Sequence, residues 1–176
     1  MRRARLDRID RRILRDLQAD GRITNVELAR RAGISAPPCL RRVRTLEEAG
    51  IIRGYHADLA PEALGWGVIV FAQVGLSSQA EADLQAFEAL VRAWPEVREA
   101  HMLAGETDFL LKIVAADWDS YQRFLSAKLT SAANVSHVKS ALTLRVSKHD
   151  TGVPIVAQPD WRDDENLPVA AALRAS

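Results

Sequence analysis

Cysteine is nearly missing from this sequence, with Cys39 standing alone. One thiol excludes an intramolecular disulfide framework and a cysteine-rich zinc site, and it suits a reducing compartment. The four histidines, His56, His101, His137 and His149, are scattered without ligand spacing, so no metal site and no cofactor are expected. No run approaches the roughly eighteen apolar residues of a membrane span. The opening MRRARLDRID is basic, but the long apolar segment of a secretory signal does not follow it. These absences predict a soluble cytoplasmic protein that does not partner a membrane. Internal repeats and low-complexity tracts are lacking too, and 176 residues suffice for one generous domain or two small ones with a core that needs no staples.

Lysine is absent from the first 55 residues, which carry fourteen arginines against seven carboxylates, a net charge of +7. Residues 56 to 176 carry ten basic and sixteen acidic residues, a net charge of −6. The overall charge of +1 therefore hides a basic head on an acidic body. Such a head predicts a polyanion partner, and arginine in place of lysine sharpens the prediction, because its planar fork matches phosphates and guanine edges bidentately.

The head reads as three helices. Asp7 is an N-cap with Asp10 three residues on, and Leu6, Ile9, Ile13, Leu14 and Leu17 form one apolar stripe that closes before Asp20-Gly21. Thr24-Asn-Val-Glu27 has the form of a capping box and opens a short helix that stops at Gly33. After the Ile34-Ser35 turn, Cys39, Val43 and Leu46 are helically spaced up to Gly50, and Cys39 is expected as a buried hydrophobe. Two short helices joined by a tight turn and crossed by a longer one make a helix-turn-helix. Ile51 to Ala57 reads as a short strand or wing, and Pro61 to Gly65 as one helical turn in a linker.

In ISAPPCLRR, residues 34 to 42, Ser35 as N-cap places Pro37 and Pro38 at the second and third helical positions, where backbone N–H groups lack intrahelical partners anyway. The prolines stiffen the start of the helix and leave the Ser35 hydroxyl free for a DNA phosphate. With the apolar stripe buried, Pro37, Arg41, Arg44 and Thr45 lie on the opposite side and Pro38 and Arg42 on its flank. In a helix-turn-helix this helix enters the major groove. Ala36, Pro37 and Pro38 then suit thymine methyls, Arg41 or Arg42 a guanine, and Arg44 a phosphate. Arg2, Arg3 and Arg5 are candidates for a further phosphate or minor-groove arm.

The second half has another rhythm. Val68 to Leu76 is a β-branched strand, Ala80 to Ala93 a helix ended by Pro95, and Val97 to Ala104 and Phe109 to Ala115 are strands joined by Gly105-Glu-Thr-Asp108. Asp117 caps a helix with Tyr121, Phe124, Leu125 and Leu129 inward, and Val135 to Val146 is a strand alternating through Val138, Ser140, Leu142, Leu144 and Val146. The order β-α-β-β-α-β is the ferredoxin-like split unit, so the fold class is α+β. The expected division is a winged helix-turn-helix over 1–55, a linker over 56–66, a ferredoxin-like domain over 67–156 and a polar, acidic tail over 157–176.

The stretch LDRIDRRILRDLQADGRITNVELARRAGISAPPCLRRVRTLEEAGIIRGYHADL resembles the start of the Lrp/AsnC, or feast/famine, family of bacterial and archaeal transcriptional regulators. AHMLAGETDFLLKI, residues 100 to 113, resembles the same family's effector domain around its Gly-x-x-Asp-aromatic turn, carried here by Gly105, Asp108 and Phe109. The resemblance covers residues 6 to 156. It implies a sequence-specific regulator of double-stranded DNA, a homodimer formed through the ferredoxin-like sheet and assembling further, and a small effector, commonly an amino acid, bound near that turn between dimers. Carried over, the effector region is Met102 together with Gly105, Glu106, Thr107, Asp108 and Phe109, with Trp118 and Thr143 as neighbours. There Asp108 would accept from an α-ammonium and the turn's N–H groups would hold an α-carboxylate. Two alternatives stay open: an enzyme like the sirohaem decarboxylases that resemble this family, and a ligand-sensing oligomer without DNA binding. The arginine face argues against both.

Overall fold

The computed structural model describes residues 6–150 and 152–155. Arg2, Arg3, Arg5 and the tail 157–176 lie outside the described residues. The described residues form two compact units, one of residues 6–57 with 150 and 152–155, the other of residues 58–149.

The first unit holds α1 (Arg8–Ala19), α2 (Asn25–Ala32) and α3 (Ala36–Glu48). Asp7 and Asp10 make a reciprocal capping box, the Asp10 N–H donating to Asp7 at 2.8 Å and the Asp7 N–H to Asp10 at 3.1 Å. At α2 only half of the predicted box forms. Thr24 Oγ1 accepts from the Glu27 N–H at 3.3 Å, while the Glu27 carboxylate turns outward to Arg30 and Arg31 at 2.6 to 2.8 Å. Gly33, at φ 72°, closes α2 in the left-handed region that the turn into α3 requires. Ile13, Leu28, Ala29, Cys39 and Leu46 are buried between the helices, ringed by Ile9, Leu14, Leu17, Ile34 and Val43. Burial also pushes the Cys39 thiol pKa up, which makes it an inert core residue.

The predicted strand over Ile51 to Ala57 is not formed. The Ile51 and Ile52 N–H groups instead donate to the Leu46 carbonyl at 3.0 and 3.2 Å, closing the end of α3, and both side chains pack against the helical core. Gly152, at φ 88°, turns the last described residues back to α1. There Gln18 exchanges two hydrogen bonds with Val153, and Arg15 donates to the Ile155 carbonyl at 3.0 Å.

The second unit runs β1 (Val68–Leu76), α4 (Glu81–Ala93), β2 (Val97–Met102), β3 (Phe109–Ala115), α5 (Trp118–Phe124) and β4 (Val135–Leu142). Every pairing in the sheet is antiparallel, in the order β2-β3-β1-β4. This is the predicted βαββαβ order with the first and third strands central. Both helices cover one face: Val70, Ala72, Val74, Phe109, Leu111 and Ile113 are buried against Phe87 and Val91 of α4 and Tyr121 and Phe124 of α5. Edge-on and tilted contacts between Phe87, Phe109, Trp94 and Phe124, with ring centroids 4.9 to 6.4 Å apart, lock the helices to the sheet. Tyr121 reaches through the core to Ser140 of β4 with its hydroxyl.

Asp117 caps α5 as expected, accepting from the Ser120 N–H at 2.7 Å. Beyond Phe124 the helix widens into a π-helical turn over Leu125–Leu129, in which the Thr130 N–H reaches the Leu125 carbonyl at 2.8 Å and Leu129 is fully buried. The β4 strand stops four residues short of the alternating pattern. Its last ladder bond joins the Thr143 N–H to Ile69 at 2.9 Å, and Leu144 projects 94% exposed with no strand opposite it. Similarly β2 ends at Met102, where the chain opens into the 103–108 loop.

Candidate functional site

The start of α3 is built as its sequence requires. Ser35 is the N-cap in extended conformation and its hydroxyl makes no capping bond, since neither Pro37 nor Pro38 has a hydrogen to donate. The first N–H of the helix with an acceptor is that of Cys39, which reaches the Ser35 carbonyl at 3.2 Å. From α2, Asn25 Nδ2 donates to the Ala36 carbonyl at 2.9 Å and ties the starts of the two helices together. Pro37, Arg41, Arg44 and Thr45 are exposed, with Ala36, Pro38 and Arg42 half-buried beside them. Arg41 and Arg44 have no ion-pair partner among the described residues, whereas the Thr45 hydroxyl donates back to the Arg41 carbonyl at 3.0 Å.

Arg42 departs from the reading of this face. Its guanidinium bonds both capping-box carboxylates of α1, Asp7 and Asp10, each at 2.7 Å. The Asp10 N–H and the Arg42 guanidinium hold the Asp7 carboxyl below the usual carboxylate range, and the two acids raise the Arg42 pKa in turn. Arg42 therefore clamps α3 to the start of α1 and is not a free base-reading group. The partners lie 35 and 32 residues away, so no local pattern reveals them. Sequence reasoning also missed Leu40, 40% exposed on the stripe of Pro37, Arg41 and Arg44. The helical step from Pro37 to Leu40 is the signal that finds it.

The 103–108 loop is the second candidate. Met102, Gly105 and Glu106 are exposed, while Thr107, Asp108 and Phe109 turn inward and are buried. The Asp108 carboxylate accepts from the Leu76 N–H at 2.6 Å and from Gln79 Nε2 at 2.8 Å. Its own N–H donates to the Val74 carbonyl at 3.0 Å, and its carbonyl accepts from the Leu103 N–H at 2.8 Å. Asp108 thus braces the loop onto the end of β1 with one hydrogen bond to each carboxylate oxygen, a role its place in the turn sequence did not show. Phe109 belongs to the core. The N–H groups from Ala104 to Thr107 have no acceptor among the described residues, and no side chain crowds Gly105. Trp118 stacks at 5.2 Å on Tyr121.

The sheet face away from the helices presents Phe71, Gln73, Leu110, Lys112, Lys139 and Ala141 in register. Phe71 is 39% exposed at its centre, and Lys112 is tied to Glu99 at 2.7 Å.

Comparison with known proteins accounts for both units. Residues 6–53 match a winged helix-turn-helix DNA-binding model and residues 69–153 an Lrp/AsnC ligand-binding domain model. The leucine-responsive regulatory protein of Rhizobium meliloti is 56% identical over 153 residues, spanning 87% of this chain and 98% of that protein. The Escherichia coli K12 protein of the same name is 39% identical over 150 residues, 85% of this chain and 92% of the relative. Among solved structures, a Neisseria meningitidis transcriptional regulator in complex with L-Met superposes with a TM-score of 0.82 at 41% identity, covering 86% of this chain and 97% of that one. AsnC of E. coli superposes at 0.79 with 28% identity, covering 86% and 100%. With a DNA-binding head and a ligand-binding body in the same order as these relatives, the chain belongs to the Lrp/AsnC family of transcriptional regulators.

Proposed function

We propose that this regulator reads an operator with the exposed face of α3 and that an amino acid held at the 103–108 loop changes its assembly or its DNA affinity. The observation that carries the first part is the unpaired Arg41 and Arg44 beside Pro37 and Leu40 on a helix whose start is stiffened by two prolines. Arg41 lies near the N-terminal end, where base edges come within reach, and Arg44 one turn on meets phosphate. Ser35 adds a phosphate contact from its free hydroxyl, and Ala36, Pro37, Pro38 and Leu40 pack against thymine methyls. Arg42 and Asn25 are positioning residues that set the angle of α3.

The amino-acid class is supported by the L-Met complex of the Neisseria relative and by the leucine-responsive name of the Rhizobium one. At the loop, the unpaired N–H groups from Ala104 to Thr107 suit an α-carboxylate. Met102 and Glu106 face the ligand, and Asp108 keeps the loop in shape. The open sheet face around Phe71 pairs with its copy in a homodimer, which makes the operator a palindrome with half-sites a helical turn or a multiple apart. Catalysis has no part in this reading.

The test is binding to the chain's own promoter and to random DNA at physiological salt, with and without each amino acid. Tighter promoter binding that one amino acid shifts is the expected result; equal affinity for both DNAs under all conditions refutes the reading.

A further inference from the structure

Beside the recognition helix, the first unit has a basic groove that DNA reading by α3 does not use. It is an open cleft of about 760 Å³ between α1 and the end of α2, with Arg8, Arg11, Arg12, Arg15 and Arg31 along its walls. Four of these arginines recur on α1 at helical spacing and form one stripe. Arg12 is paired with Asp16 and Arg31 with Glu27, but Arg8 and Arg11 have no ion-pair partner among the described residues. The single acidic residue in the lining, Asp7, is already committed to Arg42. A concentration of like charge of this kind is unfavourable by itself and calls for an anion.

The chain supplies one. Gly152 turns the backbone onto α1, Val153 lies against Gln18, and Ile155 lies three residues further toward the N-terminus of α1, against Arg15. The described path thus runs antiparallel to α1 and heads for Arg12, Arg11 and Arg8. In the sequence that follows, residues 160–165 hold Asp160, Asp163, Asp164 and Glu165 against one arginine, Arg162. Along α1, Arg15 and Arg8 are about 10 Å apart at the helical rise, a span that roughly three extended residues cover. The acids therefore begin within reach of the stripe.

We propose that the acidic segment Asp160–Glu165 docks in the arginine groove of α1 and acts as an internal polyanion that weakens non-specific DNA binding. The segment lies beyond residue 153, where the family model ends, so the device belongs to this chain and not to the domain it shares with its relatives. The docking stands on the geometry of the first unit alone; its effect on DNA rests on the function proposed above.

The test uses the full chain and a variant with the segment neutralised, D160N/D163N/D164N/E165Q, each also with the groove changed by R8Q/R11Q. Amide NMR spectra are compared first. Neutralising the acids is expected to shift the amides of residues 8–15 and 31–33 and to leave those of residues 68–142 in place. Unmoved amides along α1 overturn the docking whether or not the protein binds DNA. Binding to a random-sequence duplex across a salt series comes second. The neutralised segment should tighten binding several-fold at low salt, with the gap closing as salt rises, and the gain should shrink in the R8Q/R11Q background. An equal gain in both backgrounds overturns the groove as the docking site. If R8Q/R11Q weakens DNA binding and the segment has no influence, the groove serves the DNA backbone and the proposal fails.

Discussion

Replacing Asp108 by asparagine keeps the shape of the side chain and removes one acceptor. The two carboxylate oxygens now serve the Leu76 N–H at 2.6 Å and Gln79 at 2.8 Å, both in a buried setting. An amide can accept from one of these donors but must turn its own NH2 toward the other. A buried donor left without a partner costs about 1–3 kcal/mol. For a unit of this size each kcal/mol lowers the melting midpoint by roughly 4–8 °C, so D108N should melt roughly 4–24 °C below the wild type. D108A, which loses both bonds, should fall further. Calorimetry resolves the transition, and near-ultraviolet circular dichroism of the Trp94 environment assigns it to the ferredoxin-like unit. The reasoning is refuted if D108N melts with the wild type but no longer responds to an amino acid that the wild type recognises. That outcome would make Asp108 a ligand contact rather than a brace.

Other substitutions test the head. S35A should leave the melting midpoint unchanged because its hydroxyl caps nothing, whereas T24A should cost about 1 kcal/mol; promoter affinity should nevertheless fall in S35A. R41A is expected to relax one base position of the operator at about 1–3 kcal/mol, seen by binding a panel of single-base operator variants. R42A should instead lower the melting midpoint and weaken all DNA sequences alike, since it releases α3 from Asp7 and Asp10; a change at one base position alone would contradict the clamp. The Glu27 carboxyl is held down to about 2 by Arg30 and Arg31 against a usual value of 4.5. Because the folded pKa lies below the unfolded one, its contribution is present above pH 4.5 and lost as pH falls toward 2. Melting midpoints of wild type and E27Q should therefore converge across that window.

Much of this arrangement was legible because it is written in local periodicity. The stripe from Leu6 to Leu17, the Asp7 and Asp117 caps, and the burial of Cys39, Val43 and Leu46 follow from residues within two helical turns of one another. The exposed face with Arg41 and Arg44 followed by subtraction. What stayed illegible depends on residues far apart in sequence. Arg42 looks like its neighbours until Asp7 and Asp10 are folded against it, and Asp108 looks like a turn residue until Leu76 and Gln79 arrive from another strand end. The alternation of β4 continues through Val146, but a strand needs a partner, and β1 has run out by Ile69. Ile51 and Ile52 have the composition of a strand and are used instead to close a helix.

The π-helical turn at Leu125–Leu129 carries a consequence for how this chain tolerates length changes. A π turn holds one residue more than the α-helical turn it replaces, so the end of α5 contains a residue that the hydrogen-bond ladder does not need. Deleting a residue between Leu125 and Lys128 would let the ladder relax to α-helical spacing and keep the register of everything after it. Inserting one there would rotate Leu129 by about 100° out of the core. Shortening by one and lengthening by one, equal in size, are therefore unequal in cost at this point, and single-residue deletions between Leu125 and Lys128 should yield folded protein where single-residue insertions there do not.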